Sequence, residues 1–401
     1  MSTAVERLKI ALTAIGINIA NRIHRKPRNK RVLLVFQQVF GDSIILLSAL
    51  EGYMELYQKR KGYEVTMICL PSIKKFLEAN AKLPAELNVE TVDFKKFVND
   101  YDYFKQVVRT YRNYAEITIV TGSSLSAELL STTLCAKERH GLISCYRVKW
   151  PLQMALFQRL AYSDAVIPPV GSMMIERHGI MLRHLGLESY QGHLSALLPH
   201  DKIVDGDYCV ICPGASTPVK CWPIERFREI ADWIVETYGL EVHLCGGAPE
   251  REASDMLIAG SKHPEKIVNH VGETSFAEWS AIVQHASVVV GNDSATLHIA
   301  AATQRKCICI TGIYDKYMFF PYKVEKLNEG EHLPMTVIVD KPCAYCRTKG
   351  YFAGYGNKDC KAAINRGECA LCISEISVDM VKKAISTIFL CKHSIQFKVK
   401  S

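Results

Sequence analysis

Two segments of the chain pass from an apolar run through a short polar turn into an amphipathic helix. The second, VVVGNDSATLHIAAA (Val288 to Ala302), predicts a buried strand followed by a helix that Asp293 or Ser294 can cap. The first is PGASTPVKCWP, from Pro213 to Pro223. A helix that begins directly after a parallel strand presents unpaired backbone N–H groups and a partial positive charge, which favour a bound phosphate. Two such turns, with Lys220 in the first, predict a site that holds one diphosphate from two sides.

The composition is that of a globular protein with an excess of positive charge. The 401 residues carry a formal net charge of +8, and 48% of them are hydrophobic. This length favours two or three domains, and the charge favours anionic partners such as a nucleotide, a phosphorylated substrate, a membrane surface or nucleic acid. No apolar run is long enough to cross a bilayer, and the N-terminal residues do not have the order of a signal peptide. We therefore expect a cytoplasmic protein whose 15 cysteines are mostly thiols.

Residues 1–30 predict a basic amphipathic helix. An apolar side chain recurs every three or four residues over 3–23 and forms one face of the helix: Val5, Leu8, Leu12, Ile15, Ile19 and Ile23. Six of the ten residues from Arg22 to Arg31 are Arg or Lys. This combination favours an anionic membrane surface. The alternative is a helix packed on its own domain and followed by a solvated basic loop.

Alternating strand and helix patterns predict an α/β fold with two Rossmann-like domains, over 31–200 and 201–372. The predicted strands are 31–36, 64–70, 90–93 and 117–120 in the first domain, and 208–212, 241–245, 267–270, 288–290 and 307–311 in the second. The predicted helices are 43–57, 72–81 and 97–111, then 224–238, 276–285 and 296–303. Residues 150–200 are mostly helical in pattern. A cleft between two such domains is a natural ligand site, at the carboxyl ends of the strands.

Two charged residues are candidates for the chemistry. Asp42 follows the first predicted strand, where a carboxylate can act as the general base for an acceptor hydroxyl. The alternative for Asp42 is a helix cap or a first-turn carboxylate. Lys220 can place a cation on the phosphates of a leaving nucleotide, or it can be a solvated surface lysine. The neighbouring Gly214, Ser216 and Thr217 favour the first interpretation, because small and hydroxyl residues let a backbone approach a phosphate closely.

The second turn supplies further candidates for donor binding. The hydroxyl of Ser294 and the backbone N–H groups of Ser294 and Ala295 are the expected phosphate donors. Asp293 is negative, so we expect it to hold Lys220, to orient the turn or to accept a hydrogen bond from a sugar hydroxyl. His298, one helical turn further on, is either structural or orients the turn through a hydrogen bond.

Five cysteines lie close together in the sequence near the C terminus: Cys343, Cys346, Cys360, Cys369 and Cys372. Cys343 with Cys346, and Cys369 with Cys372, have the spacing CxxC. Two such pairs are compatible with a structural zinc knuckle in the loop 343–372. The alternative is a set of small buried thiols that pack a loop.

The motifs, taken together and in order, resemble those of glycosyltransferase family 9, the ADP-heptose:lipopolysaccharide heptosyltransferases. The resemblance covers nearly the whole chain. It rests on FGD (40–42), PGAS-x3-K-x-WP followed by ERF (213–227), GGAPE (246–250), VGETSFAE (271–278), GNDS-x3-H-x-AAA (291–302) and CISEISVDMV (372–381).

The resemblance implies a GT-B fold, with two facing Rossmann-like domains, an acceptor on the first and a nucleotide sugar on the second. It also implies an inverting reaction that needs no cofactor, Asp42 as the base, Lys220 as the phosphate cation, and a last helix, in 373–401, that returns to the first domain. The implied donor contacts are Ser216, Thr217, Ser294 and Ala295 with the phosphates, Glu250 with the ribose, Thr274 and Ser275 with the base, and Asp293 as the anchor of the turn.

Two positions depart from the family pattern. Ala295 stands where the family usually has glycine, so a positive φ there would be strained. Phe40 is bulkier than the residue that usually precedes the Gly-Asp pair. We expect these changes to affect the identity of the sugar and the acceptor more than the fold.

The leading hypothesis is therefore a transferase of heptose from ADP-heptose to a phosphorylated lipopolysaccharide-type acceptor, at the inner face of the cytoplasmic membrane. A second hypothesis is a transferase of another nucleotide sugar, in capsule or glycolipid synthesis. A third, of a different class, is a nucleic-acid-binding protein with a zinc knuckle and a basic arm, which no nucleic-acid-binding motif supports.

Overall fold

The computed structural model of the chain describes residues 3–24, 26–143, 151–314, 316–344, 346 and 357–396. The chain divides into two compact units, Met1–His193 and Leu194–Ser401. Each unit contains its own parallel sheet of six strands in the described residues. None of the helices in these residues is long and apolar enough to cross a membrane.

The N-terminal unit contains strands β1 to β6 and helices α1 to α8. The strands are β1 (Arg31–Val35), β2 (Glu64–Cys69), β3 (Leu87–Thr91), β4 (Ile117–Val120), β5 (Glu138–Leu142) and β6 (Asp164–Val166). The helices are α1 (Thr3–Ile23), α2 (Phe40–Tyr53), α3 (Pro71–Asn80), α4 (Phe94–Phe97), α5 (Tyr101–Tyr111), α6 (Leu125–Thr133), α7 (Pro151–Ala161) and α8 (Met174–His184). The sheet order is β3-β2-β1-β4-β5-β6, so the direction of winding reverses between β1 and β4.

The C-terminal unit repeats this plan with strands β7 to β12. The strands are β7 (Tyr208–Cys212), β8 (Glu241–Leu244), β9 (Ile267–Asn269), β10 (Val288–Asn292), β11 (Cys307–Ile310) and β12 (Met335–Val337). The helices are α9 (Ile224–Tyr238), α10 (Arg251–Gly260), α11 (Phe276–His285), α12 (Ala295–Ala302), α13 (Lys358–Asn365), α14 (Leu371–Ser374) and α15 (Val378–Gln396). The order is β12-β11-β10-β7-β8-β9, so the winding reverses between β7 and β10.

The central strands of both sheets are buried along their whole length. In β4, β7, β10 and β11 every residue is buried, which is the pattern of a parallel sheet covered by helices on both faces. This burial explains why continuous apolar runs located these strands in the sequence. The α/β class predicted from the sequence is confirmed.

The helix expected at 43–57 is α2 (Phe40–Tyr53), and two further predicted elements in the N-terminal unit also have different bounds in the structure. The strand expected at 90–93 is Leu87–Thr91, an edge strand that is only partly buried and lacks a continuous apolar run. The helix expected at 97–111 is two helices, α4 and α5. The Asp100 carboxylate caps α5 by accepting hydrogen bonds from the N–H groups of Asp102 and Tyr103, which fixes a new helix start there.

The last helix, α15, packs on the C-terminal unit itself. The rings of Tyr238 and Phe389 stack with their centroids 4.2 Å apart, and the Tyr238 hydroxyl lies 3.3 Å from the Ser386 Oγ. Just before α15, the Ile376 carbonyl accepts a 2.9 Å hydrogen bond from the Trp222 indole N–H. The return of this helix to the N-terminal domain stays a prediction.

Strands β7 and β10 approach closely at Gly291. A Cβ atom at this position would lie 2.7 Å from the Cys212 carbonyl oxygen and 2.9 Å from the Leu297 side chain. Only glycine therefore fits between the end of β7 and the first turn of α12.

We expect Gly291→Ala to destabilise the C-terminal unit by about 1–3 kcal/mol, because backbone and core atoms must shift to admit the methyl group. Thermal unfolding would show this as a midpoint lowered by about 2–4 °C for each kcal/mol. Gly16→Ala in α1 is the matched control, because nothing lies within 4 Å of its added Cβ. Equal midpoints for the two variants would contradict the close approach of β7 and β10.

Candidate functional site

The two predicted phosphate turns lie side by side at the carboxyl edge of the C-terminal sheet. The first follows β7 and the second follows β10, and these strands pair in parallel with Gly291 opposite Cys212. The winding of the sheet reverses between them. In open α/β sheets this reversal leaves a crevice at the carboxyl ends of the strands, where ligands bind.

Asn292 joins the two turns through its side chain. This fully buried amide donates a 2.6 Å hydrogen bond from Nδ2 to the Pro213 carbonyl, and its Oδ1 accepts a 3.0 Å bond from the Trp222 N–H. Both ends of the first turn are thus tied to the last residue of β10. Sequence reasoning missed this residue and assigned it only to the turn.

Lys220 and Asp293 form an ion pair between the two turns. The distance from Lys220 Nζ to Asp293 Oδ2 is 2.8 Å, and the two side chains are 14% and 10% exposed. Asp293 therefore contacts Lys220, one of the three arrangements expected from the sequence. The Lys220 ammonium also lies 5.4 Å from the centroid of the Phe319 ring. The pair fixes a cation close to the start of α12.

His298 lies behind this ion pair and is fully buried. Its Nε2 is 3.9 Å from Asp293 Oδ1, and its Nδ1 is 2.6 Å from the Tyr322 hydroxyl. Burial lowers the pKa of His298 to about 4, although Asp293 raises it and Lys220 lowers it further. The imidazole is therefore neutral near pH 7. It supports the Asp293 turn by packing and hydrogen bonding.

Helix α12 begins at the second turn. Ser294 is at its N-cap position, without a hydrogen bond from its side chain to the helix backbone, and its Oγ lies 3.4 Å from Cys212 Sγ. The first N–H groups of an α-helix have no partner within the helix, and those of Ala295 and Thr296 stand at this end of α12. Ala295 is the first helical residue and does not have a positive φ. Alanine in place of the usual glycine is therefore not strained here.

Glu250 lies against the first turn. A Cβ atom at Gly214 would be 2.3 Å from Glu250 Cδ, so glycine at this position makes room for the carboxylate. The Gly247 N–H donates to Glu250 Oε2. Burial raises the pKa of Glu250, and this hydrogen bond lowers it. Ser216 and Thr217, in the same turn, are exposed to solvent.

Thr274 and Ser275 lie in the loop that leads into α11. The Ser275 Oγ accepts a hydrogen bond from the Glu278 N–H, and the Ser275 N–H donates a 2.8 Å bond to Glu278 Oε2. This reciprocal capping box gives Ser275 a structural role. The Gly272 N–H donates a 3.0 Å bond to the Gly246 carbonyl, so this loop lies beside the loop that carries Glu250.

Asp42 lies in the N-terminal unit, in the first turn of α2 directly after β1. The aspartate is 9% exposed. Val39, not Asp42, is the N-cap residue of α2, so the alternative that remains for Asp42 is a first-turn carboxylate. The ring of Phe40 packs edge-on against Phe76 with centroids 5.5 Å apart, which gives this bulky residue a packing role. The other predicted site residues belong to the C-terminal unit.

The five C-terminal cysteines are thiols in the structure. Burial raises the pKa of Cys372 to about 12, and the nearby Cys360, Cys346 and Cys343 raise it as well. Cys360 in turn raises the pKa of Cys369, so each of the five thiols lies near at least one other. Residues 345 and 347–356, inside this loop, are outside the described part of the chain. In the part that is described, no group of three or more His, Cys, Asp or Glu residues is arranged to hold a metal ion.

The low pKa of His298 predicts a pH dependence of stability. In the unfolded chain the His298 imidazole is protonated below about pH 6.5, whereas in the folded unit it stays neutral down to about pH 4. The free energy of unfolding should therefore fall as the pH is lowered through this window. Between pH 7.5 and pH 5, we expect the free energy of unfolding of His298→Gln to fall by about 1–2 kcal/mol less than that of the wild type, measured by thermal unfolding.

The control for this measurement is His263→Gln, which changes a partly exposed histidine of the same unit. It should keep the pH dependence of the wild-type protein. If His298→Gln also kept it, His298 would not be the buried neutral group described above.

Comparison with known proteins identifies the family of the chain. The family model for glycosyltransferase family 9 (heptosyltransferase) matches residues 104–347, more than half of the chain. Lipopolysaccharide heptosyltransferase 3 of Escherichia coli K12 is 28% identical over 166 residues, which are 39% of this chain and 48% of that protein. The chain spans about half the length of the curated relatives it matches.

Solved structures extend the likeness over nearly the whole chain. The glycosyltransferase family 9 structure from Veillonella parvula has a TM-score of 0.66 at 17% identity, covering 91% of this chain and 99% of that one. The E. coli ADP-heptose lipopolysaccharide heptosyltransferase II has a TM-score of 0.60 at 16% identity, covering 90% and 99%. These likenesses confirm the predicted GT-B fold class. With its two switch-point turns and the matching family model, the chain belongs to glycosyltransferase family 9 (heptosyltransferase).

Proposed function

We propose that this chain is an inverting glycosyltransferase that transfers a heptose from ADP-heptose to a lipopolysaccharide core-type acceptor. The observation that carries the proposal is the pair of turns joined by Asn292, with the Lys220 ammonium held between them. The names of the relatives supply the donor and the acceptor: one is a lipopolysaccharide heptosyltransferase and another an ADP-heptose lipopolysaccharide heptosyltransferase.

The donor diphosphate is proposed to lie across the two turns. The N–H groups at the start of α12 and the partial positive charge of the helix attract a phosphate. An ammonium group carries three N–H donors, so the ion pair with Asp293 does not use its whole hydrogen-bonding capacity. Because Asp293 fixes Lys220 in advance, the cation is in place when negative charge develops on the leaving diphosphate.

The rest of the donor is proposed to contact the loops beside the first turn. Glu250 is held next to Gly214, where its carboxylate can accept hydrogen bonds from the ribose hydroxyls. Thr274 and Ser275, on the neighbouring loop, are the proposed contacts of the adenine base. The capping role of Ser275 favours its backbone over its hydroxyl for this contact.

The acceptor hydroxyl is proposed to lose its proton to Asp42. The oxygen then attacks the anomeric carbon from the face opposite the diphosphate, the bond to the diphosphate breaks with its electron pair, and the configuration inverts. The position of Asp42 after β1, where the winding of the N-terminal sheet reverses, supports this role.

Donor binding and turnover with a deacylated lipopolysaccharide core acceptor test these roles separately. We expect Asp42→Asn to lower kcat by about 10²–10⁴-fold, because the general base is lost, and to leave the Kd for ADP-heptose unchanged. Lys220→Ala should weaken ADP-heptose binding and lower kcat. Asp102→Asn, another first-turn aspartate of the N-terminal unit, and Lys262→Ala, an exposed lysine, are the matched controls.

Each contrary result has a distinct meaning. Unchanged turnover in Asp42→Asn would reject the proposed base. Binding of a UDP- or GDP-sugar in place of ADP-heptose would keep the fold and favour a transferase of another nucleotide sugar, in capsule or glycolipid synthesis. Absence of binding to all three donors, with nucleic-acid binding that weakens steeply with salt, would favour the basic-arm alternative.

We also propose that the cysteine loop holds a structural metal ion, with zinc as the first candidate. The thiols of Cys343, Cys346 and Cys360 each lie near that of Cys372, and thiolates are the ligands that zinc prefers in such loops. A bound cation would reverse the raised pKa values of Cys360 and Cys372, since a coordinating thiol loses its proton. Cys369 is a fifth candidate ligand.

Elemental analysis of the purified protein tests the metal proposal. We expect zinc at a ratio near one ion per chain, and we expect Cys343→Ser with Cys346→Ser to abolish its binding. Cys221→Ser, a partly exposed thiol of the same unit, is the control and should keep the metal. A wild-type protein without zinc, even after incubation with it, would support the alternative of packed thiols.

A further inference from the structure

Helix α1 packs on the N-terminal unit through a face that is half polar. Ile10, Ala14, Asn18 and Asn21 are buried on this face. The Asn18 amide donates a 3.0 Å hydrogen bond to the Thr132 carbonyl at the end of α6, and Asn21 makes the equivalent bond to the next carbonyl. These bonds fix the rotation of α1 about its axis.

The opposite face of α1 is an exposed apolar ridge. Leu8 and Leu12 are each 61% exposed and Ile19 is 59% exposed. We define the α1 ridge by the large apolar residues exposed on this helix: Val5, Leu8, Leu12, Ile19 and Ile23. The apolar face that the sequence predicted is therefore turned to solvent, apart from Ile15, which is half-buried. A contiguous apolar ridge of this kind marks an interaction surface more often than isolated exposed residues do.

Four cations surround a small cavity beside the C-terminal end of α1. Arg22, Lys26, Arg139 and Arg159, together with Asn18, Asn21 and Leu160, line this cavity of about 80 Å³, which we define as the cation pocket. No aspartate or glutamate is among its lining residues. Within the described residues, none of the four cations forms an ion pair with a carboxylate.

Among the residues that the structure describes, the cation pocket has no carboxylate partner, although the Lys26 ammonium donates a 2.8 Å hydrogen bond to the Asn21 carbonyl. Burial lowers the pKa of Arg139, Cys135 raises it, and the neighbouring Arg22 lowers it. A partly buried cation without a counter-ion is costly, and like charges around one cavity add to the cost. An anion with several oxygens, such as a phosphate group, would satisfy these donors, because guanidinium groups match its geometry.

The α1 ridge and the cation pocket meet at one place on the N-terminal unit. Arg22 lies in the last turn of α1, next to Ile23 of the ridge. Arg159 and the exposed Leu156 lie one turn apart on α7, and α7 is tied to α1 by the 3.1 Å bond from Asn18 to the Leu160 carbonyl. Apolar side chains next to cations match the surface of an anionic bilayer, where apolar acyl chains lie beneath negatively charged headgroups.

We propose that the α1 ridge docks on an anionic phospholipid surface and that the cation pocket binds a lipid phosphate there. In this arrangement the ridge enters the boundary between headgroups and acyl chains, and the cations neutralise the headgroup charge. The proposal is independent of the donor and acceptor roles proposed above, because none of its residues belongs to those sites.

Vesicle flotation with the full-length chain tests the proposal. The vesicles contain phosphatidylcholine alone or with phosphatidylglycerol, at low and high salt. We expect binding to the anionic vesicles to be at least about tenfold tighter and to weaken with salt. The triple variant Leu8→Ser, Leu12→Ser, Ile19→Ser should reduce this binding at least about tenfold.

Two matched controls separate the ridge and the pocket from general surface effects. Ile203→Ser, Met256→Ser, Leu327→Ser changes three exposed apolar residues of the C-terminal unit and should bind as the wild type does. Arg139→Gln with Arg159→Gln should remove most of the preference for anionic vesicles, whereas Lys262→Gln with Lys266→Gln should keep it. Thermal unfolding and turnover of the soluble acceptor check that each variant is folded.

Three outcomes would overturn the proposal. The wild type could fail to bind anionic vesicles while it binds inorganic phosphate through Arg139 and Arg159, which would make the pocket a site for free anions. The ridge variant could bind vesicles as tightly as the wild type. Sedimentation could show a wild-type dimer that the ridge variant dissociates without any vesicle binding, which would make the ridge a contact between two copies of this chain.

Discussion

The arrangement of the two turns at the carboxyl edge of the C-terminal sheet depends on one buried amide, that of Asn292. Its donor reaches the carbonyl of Pro213 and its acceptor receives the N–H of Trp222, so one side chain spans the start and the end of the first turn. Neither a carboxylate nor an aliphatic side chain can donate and accept in this way. Because Asn292 is also the last residue of β10, the amide fixes the first turn relative to the helix that begins two residues later. The position of Lys220 follows from this link, since Lys220 lies within the part of the chain that the amide encloses.

The charges at this edge are balanced before any ligand binds. Asp293 neutralises Lys220, and the buried His298 behind them is neutral because burial outweighs the attraction of Asp293. The ammonium of Lys220 is therefore fixed close to the start of α12, and its charge in this poorly solvated region is compensated by Asp293. In the proposed complex, Asp293 would keep the ammonium in place while the diphosphate contacts Lys220 and the N–H groups at the start of α12. This division would explain how an acidic residue can be part of the proposed phosphate-binding turn.

The sequence predicted most of the fold because the buried strands of parallel sheets are continuous apolar runs. Strands such as β7 and β10 were located in this way, and the start of α12 was placed within one residue. Strands β5 and β6 were missed, since their short and partly exposed segments lack that pattern. The pair of Lys220 and Asp293 could be expected from charge alone. The role of Asn292 could not be predicted, because it depends on which strands are neighbours. Local sequence patterns do not indicate the order of strands in a sheet.

Helix α1 shows a different limit of sequence reasoning. Periodicity identified its apolar face but could not tell whether that face is buried, and in the structure the buried face includes Asn18 and Asn21. Asparagine amides are suited to this position because the C-terminal carbonyls of α6 lack partners within their own helix and need donors. The helix is thus attached to its unit by these hydrogen bonds and by Ile10 and Ala14, which join the core of the unit, while the side chains of the α1 ridge remain outside. Since the attachment does not use the ridge, docking of the ridge on another surface would not compete with the folding of the unit. Exposure of the ridge side chains to water is unfavourable, and docking would offset this free energy by removing them from water. The proposed docking surface therefore gives a physical reason for the exposed apolar face of α1.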